Sequence, residues 1–470
     1  MTKRYDLVII GMGSGGMIAA EFAATIGVRV AVVERSRIGG DCLWTGCVPS
    51  KSLLASAKAA HTMRHADRYG LPAHDPAIDP QQVWDRIRSV QQSIAATDDN
   101  AERFEAMGID VITGTAHLAG PREVLVDGVR RLKTRFVLLC TGSRPVVPDV
   151  EGLGAAGFLT SETLWDLERP PSSIALLGGG PIAVELAQAF ARLSIRTTLL
   201  QKDPTILPRD EPELVELLTA RLRREGVDLR VQAATDRVTI DGDRKVVHGT
   251  EDGRPTNWRA EEVFVAVGRR PNVEGLALDE VGVEHTPVGV TVDSRLRTTV
   301  PSVYAVGDLA GRHRFTHAAG YEAVRAVRDM FFPGKGRAVE LVPWCTFTDP
   351  ELAHAGLTVA EATEQHGDDV EVWRRDLAGS DRARTDGAED GAMVLVTAKE
   401  RIVGAHILAP AAGELIHELA LAIRLEMKLG DLAGMVHVYP TIATEVGRLA
   451  GETAFQRARR LRWMVRWRRR

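Results

Sequence analysis

Hydrophobic residues recur along the chain in two patterns of the same kind. A short apolar run at Tyr5–Ile10 is followed by helical spacing over Gly15–Gly27, and then by a second apolar run at Val28–Glu34. The same order returns between Ser173 and Leu200. Short apolar runs that flank a helical period are typical of parallel strands joined through a helix. The sequence therefore predicts two strand–helix–strand units.

The rest of the chain predicts further helices and strands. Apolar residues at helical spacing over Gln81–Ala106 predict one long amphipathic helix. Buried strands are predicted at Phe136–Cys140, Val263–Val267 and Val303–Val306. From about Val342 strands alternate with helices, which indicates a separate α+β domain.

Composition and charge narrow the class of protein. With 470 residues, of which 44% are hydrophobic and 26% charged, the chain has the composition of a soluble globular protein. The formal net charge is −4, but residues 457–470 hold eight arginines and no acid, so the rest of the chain sums to −12. This acidic body has no basic surface suited to nucleic acid.

The basic tail at the C-terminus is a separate feature. In a helix, Arg459, Arg462, Arg466 and Arg469 would form one basic stripe, with apolar residues mostly on the other side. This pattern indicates either contact with an anionic membrane surface or a solvated extension.

Targeting signals and cysteine usage indicate a cytoplasmic protein. The N-terminal apolar run is short and leads into a glycine turn, unlike a signal peptide, and no stretch is long enough for a membrane helix. Four cysteines are too few for a structural disulfide framework. A close pair such as Cys42 and Cys47 is then expected to be catalytic or metal-binding.

The first glycine loop, Gly11-Met-Gly-Ser-Gly-Gly16, lies between a predicted strand and a predicted helix, and Glu34 ends the next strand. Glycines permit a tight turn and close approach of a pyrophosphate, which the helix N-terminus attracts. An acid at the end of the second strand accepts hydrogen bonds from a ribose diol. This context predicts a dinucleotide site; the alternative is a tight turn without a ligand.

The second glycine loop, Gly178-Gly-Gly-Pro-Ile-Ala183, opens another predicted helix. Two such loops imply two dinucleotides and electron transfer between them. Here the second strand ends in Gln201 and Lys202, where a free ribose 2′-hydroxyl would call for a carboxylate. A lysine without that acid favours a 2′-phosphate and hence NADPH over NADH, unless Lys202 is simply a solvated surface residue.

The two cysteines lie in the segment Cys42-Leu-Trp-Thr-Gly-Cys47, which continues to Lys51 and into a helix past Ala60. Five residues apart, the cysteines would face different sides of an ideal helix, so a bond between them needs a distorted turn that Gly46 can supply. A helix N-terminus and Lys51 both favour a thiolate. A disulfide in so small a loop is exchangeable; the alternative is two buried free thiols.

With these glycine loops and this cysteine segment, the chain resembles the pyridine nucleotide–disulfide oxidoreductases, the family of dihydrolipoamide dehydrogenase, glutathione reductase and mercuric reductase. The likeness extends from Tyr5 to about Glu452, and Cys42–Lys51 is similar to the redox-disulfide motif of that family. Further motifs that resemble the family are Thr141-Gly-Ser-Arg-Pro145, Gly268-Arg-Arg-Pro-Asn272, Val306-Gly-Asp308 and Phe347-Thr-Asp-Pro350.

The resemblance implies an α/β fold with two Rossmann-like dinucleotide-binding domains and a C-terminal α+β dimerisation domain, assembled as a homodimer. The implied boundaries are 1–150 and 273–338 for the two parts of the FAD domain, 151–272 for the nicotinamide domain, 339–455 for the interface domain and 456–470 for the basic tail.

Site residues follow from the same resemblance. Cys47 would face the flavin, Cys42 would exchange with substrate, and Lys51 would lie near flavin N5 and pair with Glu185. The residues assigned to FAD are Gly11, Gly13, Ser14, Gly15, Gly16, Glu34, Arg35, Gly40, Lys51, Gly114, Thr141, Gly142, Asp308 and Thr316. Those assigned to NADPH are Gly178, Gly180, Ile182, Ala183, Gln201, Lys202, Gly268 and Arg269; no resident metal is predicted.

One position departs from the family. Members that reduce disulfides carry a His-Pro motif with a glutamate five residues after the histidine, supplied by the partner subunit. Here Tyr439-Pro-Thr places a tyrosine at the histidine position and Thr444 at the glutamate position. A phenol with an ordinary pKa near 10 is a poor base at neutral pH. A register shift that lets His437 or Glu445 take the role is the alternative.

This departure favours an acceptor other than dihydrolipoamide. A tyrosine here resembles mercuric reductase, although no cysteine follows Cys345, where that enzyme carries a terminal pair. A mercuric-reductase-like reductase of a metal ion or small electrophile is expected, with lipoamide or quinone reduction, or a non-catalytic redox sensor, as alternatives.

Trp44 would stack on a quinone or pack on its own helix. Cys140 and Cys345 are predicted core thiols, and Asp381–Arg384 a charged surface loop.

Overall fold

The computed structural model describes residues 4–334 and 340–460. The helices are α1 (Ser14–Thr25), α2 (Gly40–Trp44), α3 (Cys47–Arg64), α4 (Pro80–Thr97), α5 (Ala101–Ala106), α6 (Leu153–Ala156), α7 (Pro181–Arg192), α8 (Pro212–Arg224), α9 (Leu278–Val281), α10 (Thr316–Phe331), α11 (Val359–His366), α12 (Asp381–Thr385), α13 (Ala412–Arg424), α14 (Leu429–Leu432) and α15 (Thr444–Arg460). Short 3₁₀ turns lie at Ala66–Tyr69, Leu164–Asp166, Gly307–Ala310, Gly367–Asp369 and Leu377–Gly379.

The strands in chain order are β1 (Leu7–Ile10), β2 (Val30–Glu34), β3 (Asp110–Thr113), β4 (Ala116–Gly120), β5 (Glu123–Val126), β6 (Arg130–Lys133), β7 (Phe136–Leu139), β8 (Ser143–Pro145), β9 (Ser173–Leu177), β10 (Arg196–Leu200), β11 (Asp228–Arg230), β12 (Ala233–Asp241), β13 (Arg244–Glu251), β14 (Arg254–Ala260), β15 (Glu262–Val265), β16 (Arg269–Pro271), β17 (His285–Thr286), β18 (Gly289–Val290), β19 (Val303–Ala305), β20 (Trp344–Thr346), β21 (Glu351–Gly356), β22 (Val370–Asp376), β23 (Ala392–Ala398) and β24 (Arg401–Ala409).

Contacts divide the chain into two compact units. The first consists of Met1–Leu53, Asp79–Pro171 and Glu262–Glu340, and the second of Leu54–Ile78, Ser172–Glu261 and Leu341–Arg470. The chain therefore crosses between the units five times, and one of these crossings falls inside helix α3.

The first unit is built on a five-stranded parallel sheet in the order β19-β7-β1-β2-β3. Leu7 and Ile9 of β1 belong to one hydrophobic cluster together with residues of α1 and α10. Val8 and Ile10 belong to another, together with residues of the antiparallel strands β4, β5 and β6. A parallel strand covered on both faces must be apolar throughout, which explains the uninterrupted run in the sequence.

The second unit contains two kinds of sheet. Strands β9, β10 and β11 are parallel, with helix α7 between the first two. A five-stranded antiparallel sheet, β20-β21-β24-β23-β22, packs one face against residues of α13 and α15. Together with the first unit this confirms the predicted fold class: two Rossmann-like regions and an α+β region at the C-terminus. The predicted domain boundaries stay a prediction.

The predicted single helix over Gln81–Ala106 was wrong. The structure has α4 and α5 instead, separated at residues 98–100. Asn100 has an extended backbone, and its side chain accepts a hydrogen bond from the Arg103 N–H at 2.9 Å. Asn is among the best N-cap residues because its short side chain reaches the unpaired amides of the next turn. The N-cap at Asn100 therefore starts a new helix, although the apolar spacing continues across the break.

The prediction of a charged loop at Asp381–Arg384 was also wrong. These residues form α12, whose N-cap is Ser380, with its side chain accepting from the Ala383 N–H. Ser, like Asn, favours the start of a helix because its hydroxyl replaces a missing backbone acceptor.

No helix in the described ranges is long and apolar enough to cross a membrane. Residues 461–470, which carry most of the predicted basic stripe, lie outside the described residues. The two expectations for the tail therefore stay predictions.

Candidate active site

The two central cysteines lie on two different helices. Cys42 is in the short helix α2, and Cys47 is the first residue of α3. The turn between them is narrow at Gly46, where a Cβ atom would lie 3.0 Å from the Asp41 carbonyl oxygen. The turn predicted from the spacing of the cysteines is thus present, and Gly46 lies where its backbone comes closest to Asp41. Both cysteines are free thiols in this structure.

Neighbouring groups make the two thiols unequal. A hydrogen bond from Cys42, the Thr316 hydroxyl and the charge of Lys51 together lower the pKa of Cys47 to about 6, against the opposing effect of burial. The Thr316 Oγ1 atom lies 3.4 Å from Cys47 Sγ. The same thiol–thiol hydrogen bond, with burial, raises the pKa of Cys42. Cys47 is therefore the thiolate of the pair near neutral pH.

The first glycine loop leaves no room for side chains at two positions. A Cβ atom on Gly16 would lie 2.0 Å from the Gly11 carbonyl oxygen, and Gly11 itself has φ +99° and abuts the Cys140 carbonyl. A Cβ on Gly40 would lie 2.8 Å from Gly13 Cα. The turn before α1 is thus formed by bare backbone, which leaves the helix amides accessible to a phosphate. These residues fit a dinucleotide pyrophosphate.

Glu34 shapes the same loop. Its two carboxylate oxygens accept hydrogen bonds from the Met12 N–H at 2.7 Å and the Ser36 N–H at 2.9 Å. A carboxylate has about four acceptor sites, so these bonds leave capacity for a ribose diol. Gly114, with φ +155°, donates its N–H to the Glu34 carbonyl at 2.9 Å. Arg35 is exposed beside the loop.

Two of the motifs quoted from the sequence pair with each other. Strand β8, after Thr141 and Gly142, is antiparallel to β16, after Gly268. The Thr141 hydroxyl donates to the Asn272 carbonyl at 2.9 Å, and the Asn272 amide donates back to the Thr141 carbonyl at 2.8 Å. Both motifs therefore belong to the first unit.

Asp308 is the charged centre of this part of the site. The Ser143 hydroxyl donates to its carboxylate, and Arg269 donates to Ser143 Oγ at 2.8 Å. Arg269 also lies 3.3 Å from the carboxylate of Asp41. Burial raises the pKa of Asp308, although Ser143 and Arg269 oppose this shift. Sequence reasoning included Asp308 and Arg269 but missed Ser143, which lies inside the Thr141–Pro145 motif, and Asp41, which directly precedes Cys42.

In the second unit the glycine loop again precedes a helix. Gly178 has φ +114°, Gly180 caps α7, and Ala183 is fully buried where a third glycine would otherwise lie. Ile182 is partly exposed beside Gly180. The loop therefore has the backbone form that a second dinucleotide requires.

The residues predicted to select NADPH differ in their surroundings. Lys202 is exposed, whereas Gln201 is buried and covers Gly179, where a Cβ atom would lie 2.9 Å from the Gln201 side chain. The Gln201 amide donates to the Asp203 carboxylate at 3.0 Å. Sequence reasoning missed Asp203, whose carboxylate binds Gln201. The preference for NADPH stays a prediction.

Glu185 and Lys51 lie in different units, so their predicted pairing stays a prediction. Glu185 is buried in α7 and accepts a hydrogen bond from the Phe347 N–H at 2.9 Å. Lys51 is one turn into α3, where its charge acts on Cys47.

Tyr439 lies in the loop before α15, and its side chain is 62% exposed. Its hydroxyl donates to the Asp381 carboxylate at 2.9 Å, and this hydrogen bond and charge raise the pKa of Tyr439. Arg448 is 3.6 Å from the same carboxylate. Sequence reasoning missed Asp381, because 58 residues separate it from Tyr439.

The two residues considered as replacements for a histidine base have other partners. His437 Nε2 lies 3.0 Å from Glu418 Oε1, and the His437 side chain is 6% exposed. Glu445 is buried and pairs with Arg375 and Arg448. A shift in register would have to break these contacts, which favours Tyr439 as the residue at this position.

The contacts of Cys140, Cys345 and Trp44 indicate structural roles for these three residues. Burial raises the pKa of Cys140, in keeping with a core thiol, and Cys345 packs against the core of the antiparallel sheet. The Trp44 indole donates to the Ile38 carbonyl at 2.7 Å, and Arg37 lies over its ring at 4.2 Å. Trp44 therefore packs against its own segment, which leaves the quinone-stacking alternative without support.

Two glycine loops of the dinucleotide-binding type and a cysteine pair with one acidic thiol define a flavin- and nicotinamide-dependent disulfide oxidoreductase. Family models agree: residues 5–323 match the pyridine nucleotide-disulphide oxidoreductase model, and residues 342–450 match the dimerisation domain of the same family. The chain belongs to this family, whose members are FAD-dependent enzymes that use NADH or NADPH. Its dimerisation domain supports a homodimer.

Relatives of known activity cover nearly the whole chain. Dihydrolipoyl dehydrogenase of Halobacterium salinarum is 33% identical over 448 residues, which is 93% of this chain and 94% of the relative. Mercuric reductase of Bacillus cereus is 32% identical over 93% of this chain and 70% of its own length. The Cu(II) complex of an HOCl-induced flavoprotein disulfide reductase, RclA from Escherichia coli, superposes with a TM-score of 0.84 at 26% identity, covering 96% of this chain and 99% of that one.

Proposed function

We propose that this chain uses NADPH to reduce a thiophilic metal ion, such as Hg(II) or Cu(II), through the Cys42–Cys47 pair. Bound FAD supplies the two-electron chemistry that links the nicotinamide to the cysteines. Each NADPH provides two electrons, which suffice to reduce one Hg(II) to the metal or two Cu(II) to Cu(I). Soft thiolates are good ligands for such ions.

One observation carries the choice of acceptor. The position that holds an imidazole in disulfide-reducing members of the family is occupied by Tyr439, whose hydroxyl donates to Asp381. A leaving thiolate needs a proton, which a neutral phenol committed to a carboxylate donates poorly. A metal ion bound by thiolates accepts electrons without that proton transfer, so it does not require the histidine.

The two cysteines have different roles. Cys47, with a pKa lowered to about 6, is the thiolate that faces the cofactor, and Cys42 receives the acceptor. Gly11, Gly13 and Gly40 hold the pyrophosphate of FAD, and Lys202 holds the 2′-phosphate of NADPH. The mercuric reductase relative and the Cu(II) complex of the Escherichia coli reductase support an acceptor of this class.

A second candidate is dihydrolipoamide dehydrogenase activity, because the relatives of that name are 33% identical to the chain. It requires the same cysteines but also a base for the dithiol. Tyr439→His combined with Thr444→Glu restores the His–Glu pair of the family and separates the two candidates. If Tyr439 is what excludes lipoamide, this double variant gains lipoamide reduction.

The test is anaerobic NADPH oxidation by the purified protein with Hg(II)–thiol, Cu(II), lipoamide or a quinone. We expect turnover with a metal ion that falls at least about 100-fold in Cys42→Ser, because an essential thiol is removed. Cys345→Ser, which removes a thiol far along the chain, is the matched control and keeps full activity. Turnover with lipoamide or quinone alone, or metal reduction that survives Cys42→Ser, would overturn the proposal.

A further inference from the structure

Four residues lie between the two cysteines, and the first three of them, Leu43, Trp44 and Thr45, present consecutive backbone carbonyls. They lie at and just beyond the C-terminal end of α2. The last carbonyls of a helix have no partner within it, and in a buried position they need donors from elsewhere.

Two side chains supply those donors. The Gln91 side-chain amide donates to the Leu43 carbonyl at 3.0 Å and to the Trp44 carbonyl at 2.9 Å. The Trp165 indole N–H donates to the Thr45 carbonyl at 3.0 Å. The carbonyls of Leu43, Trp44 and Thr45 are therefore each held by a side chain from another part of the first unit, whereas the Gly46 carbonyl accepts from the Ser50 N–H at 3.2 Å.

Both donors are fixed by their surroundings. Gln91 is 5% exposed on α4, and Trp165 is 6% exposed and lies 6.2 Å from Trp84 between ring centroids. On the other side of the turn, the Thr45 and Gly46 N–H groups donate to the Asp41 carbonyl at 2.9 and 2.6 Å. The backbone between the cysteines is thus tied both to its own first turn and to two buried side chains.

We infer that Gln91 and Trp165 are positioning residues that hold the Cys42–Cys47 segment in the shape from which its disulfide closes. This inference rests on the proposed redox role of the two cysteines. A closed loop forms more readily when its open state has less freedom to lose. The three hydrogen bonds limit the freedom of the dithiol state and so favour the disulfide.

The experiment titrates the holoenzyme in mixtures of reduced and oxidised dithiothreitol, with alkylation and mass spectrometry to count free thiols. In this exchange one S–S bond forms between Cys42 and Cys47 as the cyclic S–S bond of the reagent breaks. The two cysteine protons pass to the reagent, which leaves as the dithiol. The variants are Gln91→Met, which keeps an unbranched side chain without donors, and Trp165→Phe, which keeps a ring without the N–H.

We expect each variant to lower the equilibrium constant for disulfide formation at least about threefold, which corresponds to about 14 mV in a two-electron couple. Trp84→Phe is the matched control, because it removes an indole N–H from the same buried cluster, and its constant stays within about twofold of the wild type. Equal constants for Gln91→Met, Trp165→Phe and Trp84→Phe would overturn the inference. A wild-type protein that forms no reversible Cys42–Cys47 disulfide would instead refute the proposed function beneath it.

Discussion

Cys47 Sγ and Thr316 Oγ1 lie 3.4 Å apart, which places the first residue of α3 beside the first residue of α10. Two helix N-termini therefore meet at the thiol that is the stronger acid of the pair. A hydroxyl in this position serves the thiolate as a hydrogen-bond donor, and the helix ends add positive potential.

Thr316→Ala is expected to raise the pKa of Cys47 from about 6 by about one to two units. The reason is that a hydrogen bond to a charged group contributes about 1.5–3 kcal/mol and one pKa unit equals 1.36 kcal/mol. The measurement is the rate of Cys47 alkylation as a function of pH. Thr316→Ser keeps the hydroxyl and is expected to leave the profile near that of the wild type. An unchanged profile in Thr316→Ala would show that Cys42 and Lys51 alone set the acidity.

The glycine loop predicts two different outcomes for two neighbouring alanine substitutions. Gly16→Ala places a Cβ atom 2.0 Å from a backbone oxygen and is expected to prevent folding of the first unit. Gly13→Ala places its Cβ in ordinary contact, 3.8 Å from Gly40 Cα, so the protein is expected to fold. If Gly13 lies against the FAD pyrophosphate, its variant binds FAD at least about tenfold more weakly. Circular dichroism and FAD titration of the apoprotein distinguish the two results.

Sequence reasoning predicted the parts of the site that are local in the chain. The glycines of both loops, Glu34 and the two cysteines were predicted because turn geometry and helix ends leave signatures within a few residues. Gln91, Trp165 and Asp381 were not, since each acts through a contact made far along the chain. The break between α4 and α5 was missed for a related reason: a single cap at Asn100 outweighs a periodic pattern that continues across it.

Acid is expected to destabilise the second unit through two buried histidines. His354 and His406 face each other across β21 and β24, and burial lowers their pKa values to about 3 and about 4. Because the unfolded chain takes up these protons near pH 6.5 and the folded chain does not, stability is lost as the pH falls below 6.5. The two groups together remove about 4 kcal/mol between pH 7.5 and pH 5.

Three other charged groups lie near this pair, of which Glu361 favours protonation of His406. Arg209 disfavours protonation of His354, and burial raises the pKa of Asp210 to about 6, which returns about 1 kcal/mol at pH 5. Urea unfolding at both pH values, compared between the wild type and the double variant His354→Phe/His406→Phe, isolates the histidine contribution. A double variant with the same loss of stability between pH 7.5 and pH 5 would contradict the assignment.

Lys202→Ala is expected to raise the KM for NADPH about tenfold or more and to leave the KM for NADH unchanged. The loss corresponds to one charge-assisted hydrogen bond to the 2′-phosphate. Steady-state kinetics with both nucleotides is the measurement, and Lys202→Arg is expected to retain the preference. An unchanged KM for NADPH would instead indicate that Lys202 is a solvated surface residue.

Helix α3 has a consequence for how the acidity of Cys47 changes with temperature and denaturant. Its first seven residues belong to the first unit and the rest to the second. A helix of seven residues is too short to be stable alone in water. Melting of the second unit would therefore fray the helix back towards Cys47, and the acidity of this thiol would decline before the first unit unfolds. The nucleophilicity of Cys47 is in this way expected to report on the folding of the second unit.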